Sequence, residues 1–364
     1  MLRRIGWFTL VAVAMAVAAP MGAQSPTAKW LPPRLADGHP DLQGTFNVAT
    51  ITPIERPAEF KGSTLTPQQA AALEGAEAAR DQKLNESTAA DQARTAPPVG
   101  GAKPNPNATY LERLFEGGGG VVGGYNNFWL APGSSVVTIN GEKRSSVVVD
   151  PPDGRVPRMT AAARQRNIEY LRQAASPDAS ESAAAGPAGA FDNPEARPLA
   201  ERCLLGFGST SGPPTLPNYF YNNLKQIVQT KDTIMILVEM VHDARIIRMN
   251  QPHVPASIRK WMGDSVGHWE GDTLVVETTN FTSKTQFRGS GENLKVTERF
   301  TRTDPKTIVY RFTVEDPSTW ERPWTGEYNW TTTDDQIYEY ACHEGNYALE
   351  NMLRGARSSE KTQQ

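Results

Sequence analysis

Cysteine is almost missing from this chain: Cys203 and Cys342 are the only two among 364 residues. That excludes a Cys-rich metal knuckle and a C-x-x-C redox motif. Histidine is scarce as well, with five in all, and no H-x-H or H-E-x-x-H spacing occurs. A zinc or non-haem iron centre would need ligands converging from distant strands, so no cofactor is expected and a divalent metal stays a minor alternative. Basic clusters are absent too. Lys and Arg number 37 against 40 Asp and Glu, with a formal net charge of −3, which argues against a nucleic-acid surface. After the first twenty residues no apolar run is long enough to span a bilayer.

Some nucleotide and nucleophile motifs are present in form only. Gly118, Gly120 and Gly123 satisfy G-x-G-x-x-G, but a helix-like segment precedes them and a strand-like one follows, the reverse of the dinucleotide fingerprint. Gly263-Asp-Ser-Val-Gly267 satisfies G-x-S-x-G, again without the strand-then-helix setting of a nucleophile elbow.

What the sequence does contain is turn-rich and β-leaning, with 30 Gly and 28 Pro. Residues 1–23 read as a secretory signal: Arg3 and Arg4, an apolar stretch from Ile5 to Ala19, then small residues ending at Ala23. The expected location is therefore periplasmic or extracellular, where Cys203 and Cys342 can form a disulfide. Closing so long a loop is worth roughly 4–5 kcal/mol on loop entropy.

Residues 24–124 are expected to be extended and helical, with a helix over Thr66 to Lys83 and a polar linker beyond it. Residues 125–364 are expected to form an antiparallel β domain with a short C-terminal helix over 346–357. Alternating strands separated by tight turns, among them Gly271-Asp272, predict a meander closing into a barrel or half-barrel of lipocalin-like type. In Thr307 to Glu315, Ile308, Tyr310, Phe312 and Val314 share one face. Gln336 to Ala341 is read as the last strand.

Candidate chemistry rests on histidines beside acids: His242 with Asp243, His268 with Glu270, and His343 with Glu344. An imidazole next to a carboxylate can move protons, and Arg245 can steady developing negative charge. Tyr125, Asn126, Trp129, Trp324 and Tyr328 are candidate ligand-stacking residues, with core packing as the plainer explanation. The expected function is an exported small-molecule enzyme of lyase, isomerase or hydrolase type. The alternative is a non-catalytic periplasmic protein that binds an apolar or aromatic ligand.

Five segments resemble a family of secreted bacterial proteins: Pro40 to Gly44, Val148 to Arg155, Glu201 to Leu204, Gly267 to Phe281 and Tyr338 to Tyr347. The run Gly267-His-Trp-Glu-Gly-Asp-Thr-Leu-Val-Val-Glu-Thr-Thr-Asn-Phe281 is the most specific of them. The resemblance implies a bacterial, exported protein and carries no reaction with it.

Overall fold

A computed structural model describes residues 30–85, 131–174, 191–197, 199–206, 212–217, 221–285 and 287–362. The chain divides into two units, Met1–Leu31 and Pro32–Gln364. The second contains every element named below.

Nine strands close into a barrel. In spatial order they are β1 (Gly44–Asn47), β5 (Leu224–Gln229), β6 (Thr233–Val238), β7 (Ala244–Met249), β8 (Asp264–Glu270), β9 (Thr273–Thr279), β10 (Lys295–Asp304), β11 (Thr307–Glu315) and β12 (Trp324–Thr332). Pairing of Phe46 with Thr332 and Asn47 with Thr331 completes the ring. Strand β4 (Val148–Asp150) adds to β12 outside it, and β2 (Thr138–Ile139) and β3 (Glu142–Lys143) form a small separate hairpin. Closing the sheet removes the exposed edges that an open meander would leave.

Three expectations need correcting. The barrel is mixed, because β7 and β8 run parallel. Parallel neighbours need a long connection, and residues 250–263 supply it. The stretch Gln336 to Ala341 forms no strand. The ring is already closed by β1, and the Tyr338 amide hydrogen-bonds the Glu239 carboxylate instead. The closing strand also comes from the N-terminal region, so the 124/125 boundary does not separate the barrel from what precedes it.

Local chemistry explains the elements. Gly271 has φ 59 and Asp272 does not have positive φ, as a type II′ hairpin turn requires. Asn140 and Gly141 both have positive φ in the β2–β3 turn. Helix α1 (Pro67–Asn85) starts with a reciprocal capping box: Thr66 Oγ1 accepts from the Gln69 amide, and Gln69 Oε1 accepts from the Thr66 amide. Helix α2 (Ala161–Ala174) is capped by Thr160, and helix α3 (Ala348–Thr362) is longer than expected.

The inward face of β11 is the expected one: Ile308, Tyr310, Phe312 and Val314 are fully buried. They pair across the sheet with Phe300 and Val296 on β10 and with Trp330, Tyr328 and Trp324 on β12. Ring centroids lie 4.9 Å apart for Phe300–Tyr310, 5.2 Å for Tyr310–Trp330 and 5.6 Å for Phe312–Trp324. Each such pair adds about 0.5–1.5 kcal/mol beyond area burial. Gly326 makes room for the Phe312 ring, which a Cβ there would meet at 2.3 Å.

Candidate functional site

One end of the barrel, where β5 begins and β6 turns into β7, gathers charge that a core normally excludes. Lys225 lies in β5 opposite Phe46 and Val238, hence faces inward, and is 1% exposed. The turn after β6 carries Glu239, itself buried, and ends on Asp243. Glu239 accepts hydrogen bonds from the Leu224 amide (3.2 Å), the Asn222 side chain and the Tyr338 amide. Asp243 accepts one from the Gly206 amide (3.2 Å). The disulfide Cys203–Cys342, with Cα atoms 5.7 Å apart, lies three residues before Gly206 and so anchors that contact.

Burial pushes the Lys225 amine down to about 7, against the pull of Glu239 and Asp243. Burial raises the Glu239 carboxyl above its usual range, against those hydrogen bonds and the charge of Lys225. For both groups desolvation outweighs attraction, so burial disfavours the charged form of each. Between them Val241 adopts φ 60 and ψ 15. A β-branched side chain is strained there, and such strain collects at working sites.

Deeper in the barrel, Arg245 is buried against Glu298. Its Nη1 donates to Glu298 Oε1 (2.9 Å), its Nε to Ser265 Oγ (3.0 Å), and its Nη2 to Thr278 Oγ1 (3.0 Å) and to Glu298 Oε2. Tyr310 donates to Glu298 Oε1 (2.7 Å) and accepts from the Thr215 amide (3.1 Å), while Tyr328 donates to the Thr215 carbonyl (2.8 Å). Residues 212–217 are thus pinned against the barrel interior by two tyrosines. Burial first, and the nearby Glu298 charge second, raise the Tyr310 hydroxyl.

The sequence-derived candidates do not converge. Asp243 and Arg245 lie at this end, and the backbone of His242 belongs to the same corner. His268 and Glu270 contact each other at 3.2 Å on the outer wall, about half exposed, with Arg299 also on Glu270. Arg299 and then His268 lower the Glu270 carboxyl. His343 and Glu344 are exposed, just beyond Cys342. Trp324 and Tyr328 are fully buried, with rings packed on Phe287, Trp320, Phe312 and Tyr310. Tyr125, Asn126 and Trp129 lie outside the described residues.

Lys225, Glu239 and Glu298 were not among the candidates. The signal for two of them was parity. Lys225 alternates with Ile227, and Glu298 alternates with Val296 and Phe300, which puts a charge on each buried face. Glu239 gave no such sign, because it follows its strand.

A second polar cluster pins the β7–β8 connection. His253 lies between Asp264 (3.1 Å) and Glu277 (3.3 Å), with Arg248 and Lys260 on Asp264 and Lys295 on Glu277. Three cations already serve two carboxylates, so this cluster has the balance of a structural tie. Among the described residues, no group of three or more His, Cys, Asp or Glu is placed to hold a metal ion, and no helix is long and apolar enough to cross a membrane. Comparison with family models, curated proteins and solved structures found no match to this chain.

Proposed function

We propose that this chain is an exported small-molecule enzyme that works by proton transfer at the β5–β6–β7 end of its barrel. The observation that carries the reading is the meeting of Lys225, Glu239 and Asp243 at one buried corner, alongside His242 in sequence. A buried amine brought down to about 7, beside a buried acid raised above its usual range, can exchange protons with a ligand. The strained turn at Val241 fixes the corner that carries them. Arg245 supports this end from below through its pair with Glu298, in a positioning role. Export is supported by the signal-like N-terminus and by the disulfide, which an oxidising compartment permits.

The test starts with a thermal-shift screen of small carboxylic acids, aldehydes and ketones. Compounds that stabilise the protein are then incubated in D2O and followed by proton NMR. Deuterium entering a C–H position, or a new product, supports the reading if Asp243→Asn and Glu239→Gln reduce the rate by tenfold or more. Stabilisation without exchange or product would replace it with the non-catalytic binding protein.

A further inference from the structure

We propose that Lys225 is a covalent amine catalyst, and that its substrates are small carbonyl compounds which it captures as an iminium at the barrel end. This rests on the reading of that end as a proton-transfer site and names its substrate class.

The geometry supplies the parts such a reaction needs. Lys225 is the second residue of β5, so its side chain leaves the wall close to the barrel's end rather than at its waist. It is shielded from water, with a carboxyl on the adjoining turn at Glu239 and another at Asp243. Shielding matters because iminium formation releases water and is reversed by it. The Asn222, Leu224 and Tyr338 groups that hydrogen-bond Glu239 keep the acid at this corner. Burial leaves much of the amine uncharged near neutrality and keeps more of Glu239 in its acid form than usual.

The steps balance. The Lys225 nitrogen lone pair attacks the carbonyl carbon, the carbonyl π pair moves to oxygen, and a nitrogen proton passes to that oxygen to give a neutral carbinolamine. Glu239 in its acid form then protonates the hydroxyl. Water leaves as the nitrogen lone pair forms C=N. The products are an iminium cation, a Glu239 carboxylate and one water. The cation acidifies the adjacent C–H, and a carboxylate of the corner can take that proton to give a neutral enamine. No oxidant, reductant or metal is consumed.

The test uses the full mature chain at pH 7.5 with glyoxylate, pyruvate or benzaldehyde and sodium cyanoborohydride, followed by peptide mapping by mass spectrometry. Reduction freezes the iminium as a stable secondary amine on the lysine that formed it. Lys225 should be alkylated at least tenfold faster than Lys306, which is exposed in the β10–β11 turn. Glu239→Gln should slow labelling of Lys225 and leave Lys306 unchanged, and Lys225→Met should remove the fast phase. The rate ratio within the wild-type chain stands even if a variant folds poorly. Lys225 unmodified by all three probes, or modified no faster than Lys306, overturns the proposal. Deuterium exchange that persists without any Lys225 adduct overturns the covalent step alone. An adduct without exchange or product keeps the iminium chemistry and removes the turnover reading.

Discussion

Replacing Lys225 by Met should make the protein more stable at pH 6 and remove most of the pH dependence of its stability above neutrality. The folded amine sits at about 7 and its ordinary value is 10.5. That difference corresponds to roughly 5 kcal/mol, at about 1.4 kcal/mol per tenfold. Below pH 7 the amine is protonated both folded and unfolded, and the whole cost of burying its charge is present. Between about pH 7 and 10.5 the unfolded chain holds a proton that the folded one has shed, so stability rises with pH. From about pH 7 to 9.5 the gain is roughly 3 kcal/mol. Glu239 contributes with the opposite sign. Its raised folded value gives stability that is full below 4.5 and is lost as pH rises through that raised value. Tyr310 and Tyr328, both raised, act only above 10. The difference between wild type and Lys225→Met from pH 7.5 to 9.5 therefore isolates the lysine. Urea unfolding followed by far-UV circular dichroism, at half-unit steps of pH, measures it. Wild type should gain stability relative to Lys225→Met across that window. Parallel profiles for the two proteins would refute the reasoning.

Other perturbations have equally definite outcomes. Glu298→Gln leaves Arg245 buried without its counter-charge and should cost about 3–5 kcal/mol in urea unfolding. Gly326→Ala drives a methyl into the Phe312 ring and should cost roughly 1–3 kcal/mol, relieved in part by Phe312→Leu in the same chain. Replacing Cys203 and Cys342 by Ser together should lower stability by roughly 4–5 kcal/mol and speed amide exchange at Gly206, whose N–H is held by Asp243. His268→Ala, on the exposed outer wall, should leave both the unfolding midpoint and the labelling of Lys225 unchanged.

The barrel was readable because its strands alternate cleanly. Ile308 to Val314 had to face inward, and the Gly271-Asp272 and Asn140-Gly141 pairs marked real turns. The parallel β7–β8 pair was harder to see, since direction depends on where the 250–263 connection travels and not on strand composition. Gln336 to Ala341 looks like a strand by composition, but another strand had already taken its place in the ring. For the site, nearness in sequence was a poor guide. Consecutive strand residues such as His268 and Trp269 point to opposite faces, so the pairing of His268 with Glu270 selected an outward, solvated face as readily as an inward one. The charges that mark the barrel end were legible only as breaks in an apolar face, at Lys225 and Glu298, and the aromatic run at Trp324 and Tyr328 packs as core.

The most direct measurement is a titration of the lysine ε-carbons by NMR in protein labelled with 13C-lysine, with the Lys225 resonance assigned by its loss in Lys225→Met. The expected midpoint for Lys225 is about 7. A Lys225 resonance that titrates with the surface lysines near 10.5 would contradict the assignment of that buried corner as a site of chemistry.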